Sequence, residues 1–166
     1  MVELVIQNYS KNYEIYLKTK KLLNGLLGDN ISIHHVGSTA IPDMVGKNII
    51  DILIGVNNNN EFENFSKILS NNGYYEGQHS TEIYKFFASR KDETKSGDIH
   101  IHLVIKNTKR YDEFLILKNY LLNNRYEREC YSKFKNAILS KTTDRNEYRK
   151  IKSEYVSSLI SRSKQN

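Results

Sequence analysis

The chain has 166 residues, 39% of them hydrophobic and 27% charged, with a formal net charge of +6. That length suits one domain with a real core, and no apolar run approaches the ~18 residues of a membrane span. The first residues, MVELVIQNYSK, lack a basic stretch followed by an apolar one, and the single cysteine, Cys130, excludes an internal disulfide, so a cytoplasmic location is the expectation.

Residues 4–6 read as a short strand or extended lead-in. Ser10 reads as the N-cap of a helix over 11–27, where Tyr13, Tyr16, Leu17, Leu23 and Leu27 recur near helical spacing and Gly28 closes the run. Strands follow at 31–36 and 49–56. Residues 57–60 form a turn or cap before a helix over 62–70, with Phe62, Phe65, Ile68 and Leu69 on one face and Gly73 as its stop. Residues 74–76, 83–89 and 99–105 read as strands, with a polar, hairpin-like stretch at 90–98. Beyond Arg110 the pattern turns helical, over 111–123, 127–140 and 145–163, broken at 123–124 and 141–144. This order predicts an α/β (α+β) fold: a mixed β-sheet flanked by helices, with a helical C-terminal third packed on it.

The chemistry concentrates between His34 and Val56. An apolar run ends at Gly37-Ser38, a loop holding the only proline, Pro42, follows, and a second apolar run carries one acid, Asp51. This layout suits phosphate and metal. The glycine lets backbone N–H groups approach a polyphosphate, Ser38 adds a hydroxyl, and the carboxylate can hold Mg2+, which is often shared with substrate phosphates. It also suits a tight turn beside a strand with one satisfied aspartate. Strand alternation puts Ile50, Ile52 and Ile54 on one face and Asp51, with Ile49 and Leu53, on the other. A carboxylate there needs a cation, a metal or strong donors. Lys47 is open to two roles, a partner for Asp51 or a contact for phosphate.

In the strand over 98–105, Ile99, Ile101, Leu103 and Ile105 point one way and His100, His102 and Val104 the other. Two imidazoles on one face can share a metal such as Mn2+ or Zn2+, or line a polar cleft. Asp51, His100 and His102 together could form a metal site, or a general base with orienting partners. His34 and His35 fall on opposite faces of their strand. Ser38 lacks the flanking glycines of a nucleophile elbow, and Cys130 has no histidine near it in sequence. The positive charge suits a nucleotide or RNA, yet the basic residues are spread over 18–21, 106–110, 125–135 and 145–162, and no nucleic-acid motif is evident.

The run HHVGSTAIPDMVGKNIIDILIGV resembles the signature of the GrpB-like family, a branch of the nucleotidyltransferase superfamily. Its usual form reads H-x-G-S-T-(A/S)-(V/I)-P-G-L-x-x-K-P-I-I-D-I. His35, Gly37, Ser38, Thr39, Ala40, Ile41, Pro42, Lys47, Ile49, Ile50, Asp51 and Ile52 fall on it. Asp43 stands where glycine is usual and Asn48 where proline is usual. The resemblance runs along nearly the whole chain. His100 and His102 are similar to the family's His-x-His strand. Leu117, Tyr120, Leu121, Tyr131 and Lys135 match its F-R-D-Y-L-R…Y…L-K segment, and Tyr148 and Lys152 its terminal Tyr-x3-Lys. Lys118-Asn119 replace the family's Arg-Asp, which weakens a charge-based role for that pair.

The resemblance implies the nucleotidyltransferase fold, with Gly37, Ser38, Lys47, Lys135 and Lys152 at nucleotide phosphates. It implies that Asp51, His100 and His102 bind Mg2+, or a softer ion, and act catalytically, one or both histidines replacing a third carboxylate. Active members of the superfamily usually carry a second carboxylate two residues after the first. Here that residue is Leu53, and GrpB-like proteins often lack the carboxylate too. The implied reaction moves a nucleotidyl group from a nucleoside triphosphate to a small-molecule acceptor, or adenylates a carboxylate. The alternatives are a non-catalytic nucleotide-binding or interaction module and an RNA-binding accessory protein.

Overall fold

A computed structural model describes residues 4–78, 80–89 and 98–165. Among these the strands are β1 (Val5–Ile6), β2 (Ser32–Val36), β3 (Val45–Gly46), β4 (Ile50–Val56), β5 (Tyr74–Glu76), β6 (Tyr84–Ser89) and β7 (Ile99–Ile105). The helices are α1 (Tyr9–Leu27), α2 (Asn59–Asn71), α3 (Lys109–Asn123), α4 (Arg125–Leu139) and α5 (Arg145–Ser163), with a 3₁₀ turn at Ser38–Ala40. All but residue 98 of the stretch read as a hairpin, 90–98, lies outside the described residues.

The main sheet has the order β2-β4-β7-β6-β5. Only β4 and β7 run parallel; their register sets Asp51 beside His100 and Leu53 beside His102. The alternation read from both strands places the isoleucines as expected. Ile50, Ile52, Ile54, Ile101 and Leu103 share one core with Tyr16 and Leu23 of α1 and Phe62, Phe65 and Leu69 of α2. On the opposite face, Leu53 packs with Val36, Val104 and Tyr111 at the start of α3. A third cluster joins Ile41 and Met44 of the Pro42 loop to Leu121, Tyr131 and Leu159, which lie on α3, α4 and α5. Two helices thus cover one face of the sheet; α3 packs on the other, with α4 against β3 and α5 against α3 and α4.

The helix boundaries follow their caps. Asn8, not Ser10, starts α1, because its extended backbone lets its side chain accept the Lys11 N–H at 3.1 Å. Asn58 starts α2 in the same way, and Asn72 rather than Gly73 ends it. Asn124 ends α3 and starts α4. Glu127 then ties the last three helices together: Arg162 donates to it at 2.9 and 3.0 Å, and the Tyr120 hydroxyl at 3.1 Å. Among the described residues, no helix is long and apolar enough to cross a membrane.

Candidate functional site

The face of β4 and β7 that turns away from α1 and α2 meets α3, α4 and α5 across a cleft of about 490 Å³. That volume lies within the ~300–1,000 Å³ usual for small-molecule sites. Every residue the sequence singled out for phosphate, metal or catalysis lines it: Gly37, Ser38, Lys47, Asp51, His100, His102, Lys135 and Lys152.

Asp51 is the hub. Its Oδ1 lies 3.3 Å from His100 Nδ1 and 3.5 Å from His102 Nε2. Its Oδ2 lies against the turn: Gly37 has φ +73°, and a Cβ built there would fall 2.3 Å from that oxygen. Glycine is therefore required both by the left-handed backbone and by the carboxylate's approach. Burial works to raise the Asp51 pKa, but hydrogen bonds from His100 and His102 outweigh it and hold the carboxyl below its usual range.

His102 Nδ1 faces the Tyr84 hydroxyl at 3.0 Å, and the Arg110 guanidinium lies 4.8 Å over the Tyr84 ring. A consistent set of donors results. Tyr84 donates to His102 Nδ1, which leaves His102 Nε2–H to face Asp51. Burial, only partly opposed by Asp51, pushes the His102 pKa below its ordinary value, which agrees with a neutral ring. Among the described residues, no group of three His, Cys, Asp or Glu side chains is arranged to hold a metal ion. Both imidazoles are engaged with Asp51 instead.

The opposite wall is basic. Lys135 is only 2% exposed. Its Nζ lies 3.0 Å from Ser38 Oγ and donates to the Val45 carbonyl. Burial pushes its pKa down to about 7, helped by repulsion from Lys152 and opposed by Asp51. Lys152 is lowered chiefly by burial as well. Lys47 stands 5.4 Å over the Tyr148 ring. Gly46 leaves room for Ser38, since a Cβ there would come within 2.7 Å of the serine's own.

Tyr120, matched to a family position, bonds Glu127 and braces the helices. His35 sits on the α1 face, stacked 4.7 Å from the Tyr16 ring, with Nε2 3.0 Å from Thr39 Oγ1. The Thr39 hydroxyl hydrogen goes to the Ile49 carbonyl, so His35 must donate. His35 thus braces the turn from behind through the Thr39 side chain.

Arg110, Lys118 and Arg149 also line the cleft; the sequence marks Lys118 only as a departure from the family's Arg-Asp and does not mark the two arginines. The helical repeat of α3, which sets residues 110, 114 and 118 on one stripe, was the available signal.

A family model described as GrpB protein matches residues 3–162. The glutamate-rich protein GrpB of Alkalihalophilus pseudofirmus is 29% identical over 140 residues, 80% of this chain and 79% of that protein. YqkA of Bacillus subtilis is 30% identical over 122 residues, 72% of this chain but 34% of its own length. The crystal structure of GrpB from Enterococcus faecalis superposes with a TM-score of 0.81 at 21% identity, covering 97% of this chain and 96% of that one. A structure of Cid1 gives a TM-score of 0.53 at 13% identity, over 80% of this chain and 42% of that one. The GLD-2/RNP-8 structure gives 0.53 at 10%, over 76% and 48%. The fold is accordingly nucleotidyltransferase-like, a mixed sheet with a helical C-terminal part. Given a family match that spans nearly all of its length, the chain belongs to the GrpB family.

Proposed function

We propose that this chain is a cytoplasmic nucleotidyltransferase. The cleft would bind a nucleoside triphosphate with Mg2+, and the nucleotidyl group would pass to a small acceptor, through a hydroxyl or, in adenylation, a carboxylate. One observation carries the reading: Asp51 lies between the Gly37-Ser38 turn and two imidazoles, facing a basic wall. The fold neighbour Cid1 supports the reaction class, since it is described as having RNA terminal uridylyl transferase activity.

The donor set fits one hard cation. Mg2+ is usually held by one or two carboxylates together with waters and substrate phosphates, and Asp51 supplies one carboxylate. When bound, such an ion neutralises charge on the phosphoryl oxygens. The Gly37 backbone and the Ser38 hydroxyl receive phosphate oxygens, with Lys47, Lys135 and Lys152 adding positive charge. His102 stays neutral and fixes the Asp51 carboxylate. His100, the more exposed of the pair, is oriented through Nδ1 and takes the acceptor's proton at Nε2. The new bond to the α-phosphorus forms as pyrophosphate leaves. Most of the work is positioning and charge neutralisation.

A second reading, nucleotide binding without catalysis, is favoured by Leu53. It is fully buried where a second carboxylate would stand, and a two-ion site needs that donor.

Calorimetric titration of ATP and of GTP into wild type and Asp51→Asn, each with Mg2+ and with chelator, tests the binding. Wild type with Mg2+ should bind on the order of tenfold or more tightly than the other three combinations. Equal affinity in all four would overturn a metal-bridged phosphate site. Binding without turnover across a panel of acceptors would select the non-catalytic reading.

A further inference from the structure

Six basic side chains line the cleft against two acids, Asp51 and Glu113. Besides Lys47, which lies over the Tyr148 ring, the other five divide by position. Lys135, Lys152 and Arg149 form one group: Lys152 acts on Lys135, and Arg149 on Lys152. Arg110 and Lys118 form another, on α3, and Arg110 connects to Asp51 from the histidine side, through Tyr84 and His102. They are eight residues apart, about 12 Å along the axis, on one face with Phe114 between them.

Lys118 is half-buried, and burial pushes its pKa below the usual value. Its charge bears on His34 and His35, which are no counter-ions. Among the described residues it forms no ion pair with a carboxylate. A half-buried ammonium without a counter-charge costs free energy that an anion would offset. Arg110 is half-exposed at its side chain, stacked 4.8 Å over the Tyr84 ring and 5.0 Å from that of Phe114. Its contact with Glu113 is long, 3.9 Å. A guanidinium beside two aromatic rings, with no close carboxylate partner, has N–H donors to offer a carboxylate or phosphate.

Resting on the nucleotidyl-transfer reading, we propose that Arg110 and Lys118 form a second anion subsite, distinct from that of the nucleotide phosphates, which docks a phosphate or carboxylate group of the acceptor. The acceptor is then a small anionic molecule that enters along α3. Its anionic group anchors between the two cations, and its nucleophilic oxygen faces His100 and Asp51.

Inorganic phosphate and acetate are the probes, titrated separately by calorimetry into wild type, the double variant Arg110→Ala/Lys118→Ala, and Lys152→Ala. Both α3 side chains are at least partly exposed, and circular dichroism checks that the variants fold. Wild type should take phosphate at two sites. The double variant should lose one, weakened on the order of tenfold or more, and keep the other. Lys152→Ala should do the reverse, and prior saturation with α,β-methylene-ATP and Mg2+ should block only the site that needs Lys152. Whichever of phosphate and acetate binds the α3 site more tightly identifies the acceptor's group. Unchanged phosphate binding in the double variant, or no binding of either probe on α3, overturns the subsite. Failure of the nucleotide analogue to bind, with the α3 phosphate intact, would bring down the nucleotide reading and leave the anion site standing.

Discussion

Lys135 places a titratable cation beside the Gly37-Ser38 turn, where the proposed reading puts nucleotide phosphates. Its ordinary pKa of 10.5 falls to about 7, first through burial and then through Lys152. Its charge in the free protein is therefore lost as pH rises through about 7. A bound phosphate restores that charge, so binding above pH 7 takes up a proton. Nucleotide affinity should fall as pH rises from about 7, by up to about tenfold per unit if Lys135 alone responds. Calorimetry in buffers of different ionisation enthalpy reads the proton uptake directly. Lys135→Met should bind more weakly and lose the slope; an unchanged slope would remove Lys135 from the phosphate site. The sign for folding is opposite. Below pH 7 both folded and unfolded chains hold the proton, and the burial penalty is complete. Between about 7 and 10.5 only the folded chain has shed it, and this group's contribution to stability rises.

The elements that position the site differ in how plainly the sequence announced them. The alternation in β4 and β7 was enough to set Asp51, His100 and His102 on one face, because period-2 patterning is a local property. The 3₁₀ turn at Ser38–Ala40 and the two-residue β3 carry no such pattern. β3 exists because Val5 and Ile6 pair with it, and because Gln7 donates to the Gly46 carbonyl at 2.9 Å. The two departures from the family signature also resolve at this scale. Asp43 has φ +59° and Asn48 φ +58°, both in the left-handed region. Glycine at position 43 fits that geometry without strain. Asp43→Gly should therefore stabilise the fold by about 0.5–1 kcal/mol, the relief of left-handed strain exceeding the entropy cost. Proline cannot reach φ +58°, so Asn48→Pro should destabilise by more than ~1 kcal/mol despite restoring the signature. Urea midpoints at constant slope measure both. A neutral Asn48→Pro would mean that the loop between β3 and β4 adapts without cost.

Across the whole molecule, the cleft exists because two layers meet on the site face of the sheet, and its charge pattern is a product of that docking. The Gly-Ser turn and the acid were legible from one stretch of chain. Arg110 and Lys118 were not, since their place depends on where α3 lands; the Lys118-Asn119 departure keeps a cation at position 118, and it lines the cleft. Leu53 shows the same limit from the other side. The sequence shows that no carboxylate stands there, while the structure shows that the place is closed: Leu53 is 0% exposed, packed with Val36, Val104 and Tyr111, which come from three other elements. Writing the usual carboxylate back should therefore fail. Leu53→Asp loses a buried aliphatic side chain and puts an acid under Tyr111, in the seam between sheet and α3. It should cost about 3–5 kcal/mol of stability, as other buried truncations and uncompensated buried charges do. Any transfer activity should fall with the folded fraction rather than rise. Urea unfolding read by far-ultraviolet circular dichroism gives the first quantity, and turnover per folded molecule gives the second. A stable Leu53→Asp with raised turnover would mean that position 53 still opens onto the cleft, and that the chain lacks only a ligand there to carry two ions.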